Sequence, residues 1–216
     1  MGDNELQALK GVSLSIDAGE FVALTGFSGS GKSTLIHLLG CLDIPTTGHY
    51  AIDGIDVSSA SRDELARVRN QKIGFVFQKF HLLPDLDACN NVALPMLYAG
   101  VSEDKARIHA TKLLSDVGLE NRTDHFPYQL SGGEQQRVAI ARSLANNPSI
   151  ILADEPTGNL DMATGDVIMN IFADLNKNKG CTIILVTHEP SIAAKTKRII
   201  ELIDGKIVKD FKAGNS

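Results

Sequence analysis

The sequence predicts an α/β fold with a mainly parallel central sheet, an antiparallel β part and a helical insertion. Three observations carry this. Ile150–Ala153 and Thr182–Thr187 are apolar without alternation, as in strands buried on both faces. Helical stretches with their own start signals lie between such runs, and a β-then-helix alternation belongs to a parallel sheet. From about Lys79 to Leu130 no convincing strand occurs, so this stretch reads as mostly helical and inserted between two core strands.

The elements follow in chain order. Val12–Ile16 and Phe21–Thr25 are β-rich, and the helical run "TLIHLLG" comes next. Tyr50–Ile52 is another short β run. Ser61 and Glu64 have capping-box spacing ahead of "LARVRN". After the strand Ile73–Phe77, Ser102 can cap a helix with Glu103 and Asp104 in its first turn, ending near Gly118. Ser131 and Glu134 repeat the capping box, opening a helix that stops before Pro148. Ile199–Ile203 and Lys206–Lys209 form a hairpin around the turn "IDG", and Val12–Ile16 with Tyr50–Ile52 is the other antiparallel material.

The 216 residues suit one domain, 1–216, with the helical subdomain at about 79–130 set into it. Hydrophobic residues make up 43%, enough for an ordinary core. A net charge of −5 argues against a nucleic-acid partner, which would call for a basic stripe. No apolar stretch is long enough to span a membrane. The acidic, polar start is no signal peptide, and Leu6 stands where a myristoylation signal needs Ser or Thr. Cys41, Cys89 and Cys181 lack metal-ligand spacing and read as reduced packing residues of a cytosolic protein.

Residues 26–34, "GFSGSGKST", follow a predicted strand and open a helix. This is the context of a P-loop, and it makes the fold a P-loop NTPase core. Glycines let successive N–H groups curl around phosphate oxygens, and the helix adds its positive end. Gly26, Ser28, Gly29, Ser30, Gly31, Lys32, Ser33 and Thr34 are therefore the expected nucleotide-binding residues. Lys32 reaches the β- and γ-phosphates, and the Ser33 hydroxyl ligates Mg²⁺. "IILADEP" then ends a buried strand on two carboxylates: Asp154 for the Mg²⁺ shell, Glu155 to polarise a water towards the γ-phosphate. His188 in "VTHEP" emerges from the core in the same way, although a lone His after a strand is more often structural. Gln78 at the end of "IGFVFQ" can ligate Mg²⁺ or hold the attacking water. In "LSGGEQQR", Ser131, Gly132 and Gly133 make a second anion-binding helix end. One γ-phosphate cannot need both ends in one molecule, so a two-fold head-to-tail homodimer with ATP between the copies is expected.

These motifs together resemble the ATP-binding cassette (ABC) ATPases of membrane transporters, over nearly the whole chain. "LSGGEQQR" is the signature of that family, Gln78 its Q-loop, "GNLD" at 158–161 its D-loop and His188 its switch histidine. The resemblance implies catalytic roles for Glu155, His188 and Gln78, and Mg²⁺ ligation by Ser33, Gln78 and Asp154. It implies nucleotide contact in trans by Ser131, Gly132 and Gly133, with Asp161 at the dimer seam. ATP and Mg²⁺ are the implied cofactors. The implied partner is a transmembrane permease, as a separate subunit or a fused membrane domain, which would hold the chain at the inner face of the cell membrane. "GCLDIPTTG" and "ILADEPTGNLD" look like the macrolide-exporter and lipoprotein-release (MacB- and LolD-like) branch; a cell-division relative that relays a signal without transport is the alternative. Family members usually carry an adenine-stacking aromatic before the "ALKGVSL" segment, and here no aromatic precedes Phe21. Weaker nucleotide affinity and poor discrimination of ATP from GTP are expected on that account. After Gln78, "KFHLLPDLDACNNVALPML" is apolar enough to line a groove for a permease helix, with Phe80, His81 and Leu83 the expected contacts.

Overall fold

A computed structural model describes residues 7–213; the opening residues, Leu6 among them, lie outside that range. The central sheet has six strands in the order β4-β5-β6-β1-β7-β8. These are β1 (Phe21–Thr25), β4 (Ile73–Phe77), β5 (Ile150–Asp154), β6 (Thr182–Val186), β7 (Arg198–Ile203) and β8 (Lys206–Lys212). All neighbours run parallel except β8, which folds back antiparallel on β7. The "IDG" turn between those two holds Asp204 at φ 47° and Gly205 at φ 76°, the left-handed pair that a tight hairpin requires.

Each face of the sheet buries its own core. Phe21, Val76, Ile151, Ala153, Ile183 and Leu185 point to one side. They pack with α3 (Ala88–Tyr98), α4 (Glu103–Asp116), α5 (Gly132–Ser143) and α6 (Met162–Lys179). Val22, Leu24, Leu152, Ile184, Val186 and Ile200 point to the other, against α1 (Lys32–Leu39) and α2 (Arg62–Lys72). All five residues of β6 are buried, which explains its unbroken apolar run. Between residues 79 and 130 the chain forms α3, α4 and a short 3-10 turn at Pro127–Gln129, with no strand. A four-residue helix, α7 (Pro190–Ala193), follows β6.

The antiparallel part differs from expectation. Ala51–Ile52 (β2) pairs with Ile55–Asp56 (β3) in its own small hairpin, not with Val12–Ile16. Residues 12–16 form no strand, although Val12, Leu14 and Ile16 alternate inward and pack on the second core. Alternation reports one buried face; a ladder also needs a partner strand, and among the described residues this segment has none.

Candidate active site

The carboxyl ends of β4, β5 and β6 are level, since Phe77 pairs with Asp154 and Asp154 with Val186. In an open α/β sheet this edge is where ligands bind. A cleft of about 550 Å³ opens there. Its walls include Ser28, Gly29, Gly31, Lys32, Ser33 and Thr34 from the loop, with Asp154, Glu155 and His188 opposite. The sequence placed these residues in three separate motifs, and the fold brings them to one cavity.

The loop's conformation depends on glycine at two positions. Gly26 has φ 142°, and a Cβ there would lie 2.2 Å from the Leu202 carbonyl oxygen. Gly31, at φ 103°, leads into α1, whose first N–H groups thereby face the loop. Lys32 Nζ donates to the carbonyls of Gly26 (2.6 Å) and Phe27 (2.9 Å). Burial lowers the Lys32 pKa, and the charges of Glu155 and Asp154 act against that shift. The Asp154 carboxyl is pushed up, first by burial and then by Glu155, with His37 and Lys32 opposing.

Glu155 lies in left-handed backbone, φ 45°, which turns it off the line of β5. Its N–H donates to the Val186 carbonyl (3.0 Å), and its Oε1 meets His188 Nδ1 at 2.8 Å. Consecutive acids at the end of one strand thus part: Asp154 stays beside Lys32 and Ser33, while Glu155 joins the histidine from β6. For a divalent cation, the Ser33 hydroxyl and the Asp154 carboxylate in one cleft are a hard-oxygen set. Such a set suits Mg²⁺, which keeps several waters and takes few protein ligands.

Seven expected site residues do not line this cleft: Gly26, Ser30, Gln78, Ser131, Gly132, Gly133 and Asp161. Ser131 N-caps α5, and its capping box with Glu134 is closed by bonds of 2.7 and 2.8 Å. Gly132 and Gly133 abut Leu160 and Thr164, the latter so closely that a Cβ on Gly133 would lie 2.4 Å from the Thr164 methyl. Asp161 N-caps α6 by accepting from Thr164 N–H (3.0 Å). Gln78 also stands outside the cleft lining, exchanging hydrogen bonds with Asn159: Nε2 to Oδ1 at 3.3 Å, and Asn159 Nδ2 to the Gln78 carbonyl at 2.9 Å.

Two features escaped the reading of the motifs. Phe80 and His81 both have positive φ, and Arg142 of α5 clamps them by donating to their carbonyls at 2.8 and 2.6 Å. Burial lowers the Arg142 pKa from its ordinary value. Gln7, Ala8 and Lys10 line the nucleotide cleft, with Lys10 N–H bonded to the Gly205 carbonyl. Neither contact has a local sequence signal, since both join distant segments. No aromatic side chain lines the cleft among the described residues.

A second cavity, about 460 Å³, lies beside β4 and is lined by Leu42, Phe75, Phe77, His81, Pro95 and Arg142 among others. His81, one of the three residues expected to meet a permease helix, is in its walls. Phe80 and Leu83 are not in its walls: Phe80 turns towards Gly132, and Leu83 is exposed at 44%.

Residues 9–158 match the model of the ABC transporter family. The chain belongs to the ABC transporter family. It is an ABC ATPase cassette, as the motifs implied. It is 54% identical over 209 residues to the macrolide export ATP-binding/permease protein MacB of Syntrophobacter fumaroxidans, covering 96% of this chain and 29% of that protein. With MacB of Escherichia coli the identity is 53%, over 97% of this chain and 32% of the relative. The cassette therefore spans about a third of the length of the curated relatives it matches. Among solved structures, the ATP-binding cassette MJ0796, a dimer bound to ADP and Pi in a post-hydrolysis state, superposes with a TM-score of 0.89 at 47% identity. That match covers all of this chain and 95% of the other. The cbiO1 protein of Clostridium perfringens, part of the transporter complex cbiONQ, gives 0.87 at 30% identity, over 95% and 82% of the two chains.

Proposed function

We propose that the cassette binds ATP with Mg²⁺ in the Lys32 cleft, hydrolyses it to ADP and phosphate, and so drives a membrane permease of the export or lipoprotein-release type. The observation that carries this is the Glu155–His188 pair at 2.8 Å, set in the same cleft as Lys32, Ser33 and Asp154.

On this reading Lys32 exchanges its two loop carbonyls for β- and γ-phosphate oxygens, and the N–H groups of the loop and of α1 take up the remaining charge. Ser28, Ser30 and Thr34 belong to the same cradle. Ser33 and Asp154 would hold Mg²⁺, which when bound offsets phosphate charge. Glu155 accepts the proton of the attacking water as general base. His188 orients the Glu155 carboxylate and reaches for the γ-phosphate. Gln78, now tied to Asn159, would release that bond to join the metal and the water.

Residues 1–216 act as one nucleotide-binding unit, with about 79–130 as a helical subdomain. Ser131, Gly132, Gly133 and Asp161 lie outside the Lys32 cleft of their own chain, which supports their service to the ATP of a second copy in a head-to-tail homodimer. The cavity beside β4, with His81 and Phe77 in its walls, has the apolar character to receive a short permease helix. Among the described residues no helix is long and apolar enough to cross a membrane, in keeping with a peripheral place through that permease.

The test is Glu155→Gln, assayed for nucleotide binding, turnover and size with ATP. ATP binding is expected to persist while turnover falls ~10²–10⁴-fold, the span of general-base contributions. The variant should also accumulate as an ATP-bound dimer on size-exclusion chromatography. Parental turnover would remove Glu155 from the role.

A further inference from the structure

Among the large apolar side chains that the described residues expose, Met162 and Phe27 are the two most open, at 87% and 79%. Both sit beside loops of the proposed site. Phe27 lies between Gly26 and Ser28 inside the phosphate loop, and Met162 follows Asp161 as the first residue of α6. The loop uses Phe27 only through its carbonyl, which accepts from Lys32. An aromatic ring is therefore not needed there for phosphate.

Both side chains are presented by fixed backbone. Gly26 is pressed against the Leu202 carbonyl and Lys32 ties down the carbonyls of residues 26 and 27, so the loop cannot turn Phe27 inwards cheaply. Met162 is set by the Asp161 cap on Thr164. Backbone held this way loses little freedom on association, so only the side-chain rotamers remain to be ordered.

We infer that Phe27 of one copy packs on Met162 of a second copy, an apolar contact repeated twice across the two-fold axis and closing the rim of the ATP site. The inference rests on the head-to-tail pairing proposed above. In that pairing the phosphate loop faces the Ser131 end of α5 in the other copy. Within one chain, Gly132 abuts Leu160 and Gly133 abuts Thr164, so the Asp161 loop and the first turn of α6 lie against that same end of α5. Whatever faces Ser131 thus also faces Met162. A ring against a thioether is a favourable pair, and an apolar rim keeps water from the phosphates it surrounds.

The contact is tested in the full chain carrying Glu155→Gln, with the dimerisation constant in ATP measured by analytical ultracentrifugation. Phe27→Ser and Met162→Ser each remove both copies of the contact and should weaken dimerisation by about 10²-fold. The double variant should be no worse than either alone, because the two changes delete one shared contact. Phe27→Cys combined with Met162→Cys should be joined into covalent dimers by a short thiol cross-linker in ATP and not without it, and neither single variant should match that yield. Met162→Ser monomers should bind ATP like the parent, which separates a lost contact from a lost fold. Unchanged dimerisation in both Ser variants, or additive losses with no ATP-dependent cross-link, overturns the contact while leaving the pairing intact. If the Glu155→Gln chain stays monomeric in ATP, the pairing itself fails and this contact falls with it.

Discussion

Two helix ends in this chain are built to meet anions, and they differ in what surrounds them. At the start of α1, Lys32 and Ser33 share a cleft with Asp154, Glu155 and His188. At the start of α5, Ser131 and Glu134 close their own capping box, and the neighbours are Leu160 and Thr164. The first end has the groups for chemistry and stands open on one side. The second is closed by its own cap, with Arg122 Nε donating to Glu134 Oε1 at 3.3 Å. One chain thus carries two unlike halves, and on the reading proposed above they make a single site when taken from two copies.

The largest effect should come from disabling each half separately. Lys32→Ala removes the charge on the phosphates, and Gly132→Asp sets a negative charge at the α5 N-terminus, where it takes the positive end of the helix dipole for itself and repels a γ-phosphate. Each homodimer should lose turnover by roughly 10²-fold or more, on the scale of deleting one transition-state electrostatic contact. Only Lys32→Ala should lose affinity for ATP in the monomer. Mixing the two chains makes heterodimers with one sound composite site, formed by the Lys32 of one chain and the Gly132 of the other. Turnover should therefore recover in the mixture. A mixture as inactive as its parts would mean that both halves serve the same copy's nucleotide.

How much of this was legible in the sequence depends on whether a residue's job is local. The phosphate loop, the strand ending in Asp154 and Glu155 and the two capping boxes declare themselves through neighbours in the chain. So do the buried strands, whose unbroken apolar runs match a sheet covered on both faces. Val12–Ile16 misled because alternation shows a buried face and says nothing of a hydrogen-bonding partner. The Arg142 clamp on Phe80 and His81 joins positions 61 and 62 residues apart, and nothing near either end announces it. Two successive left-handed residues, Phe80 and His81, likewise swing the chain after Gln78, and apolarity alone cannot reveal that swing.

That clamped loop joins the two halves, so a change there of intermediate size tests whether they move together. His81 lies on Phe77 with ring centroids 4.7 Å apart and lines the cavity beside β4. His81→Asn removes the ring while keeping a residue that tolerates its φ of 48°. Basal turnover should stay near the parental rate. Stimulation on reconstitution with the permease should fall about tenfold, as expected for losing one anchor of an interface. Equal loss of basal and stimulated rates would place His81 in support of the site instead of the groove.

The smallest effect concerns the cost of holding the open half ready. Burial, and then Glu155, push the Asp154 carboxyl above the ordinary carboxylate range. The folded chain therefore takes up a proton there more readily than the unfolded chain. By linkage this site favours the fold most below the ordinary carboxylate pKa, and that contribution is lost as pH rises through the raised folded value. At neutral pH an ionised Asp154 strains the nucleotide-free protein. Asp154→Asn keeps the shape and removes the charge, so the nucleotide-free Tm at neutral pH should rise by roughly 2–4 °C, the shift that about 1 kcal/mol gives in a chain of this size. The gain should shrink in acid below about pH 4, where the parent is itself protonated. Added MgATP should then stabilise the parent more than the variant, because the carboxylate that weakens the empty cleft is the one proposed to hold Mg²⁺. Thermal melts across pH, with and without MgATP, decide it: an Asn variant that melts lower at neutral pH would mean that the Lys32 and His37 charges outweigh the burial of Asp154.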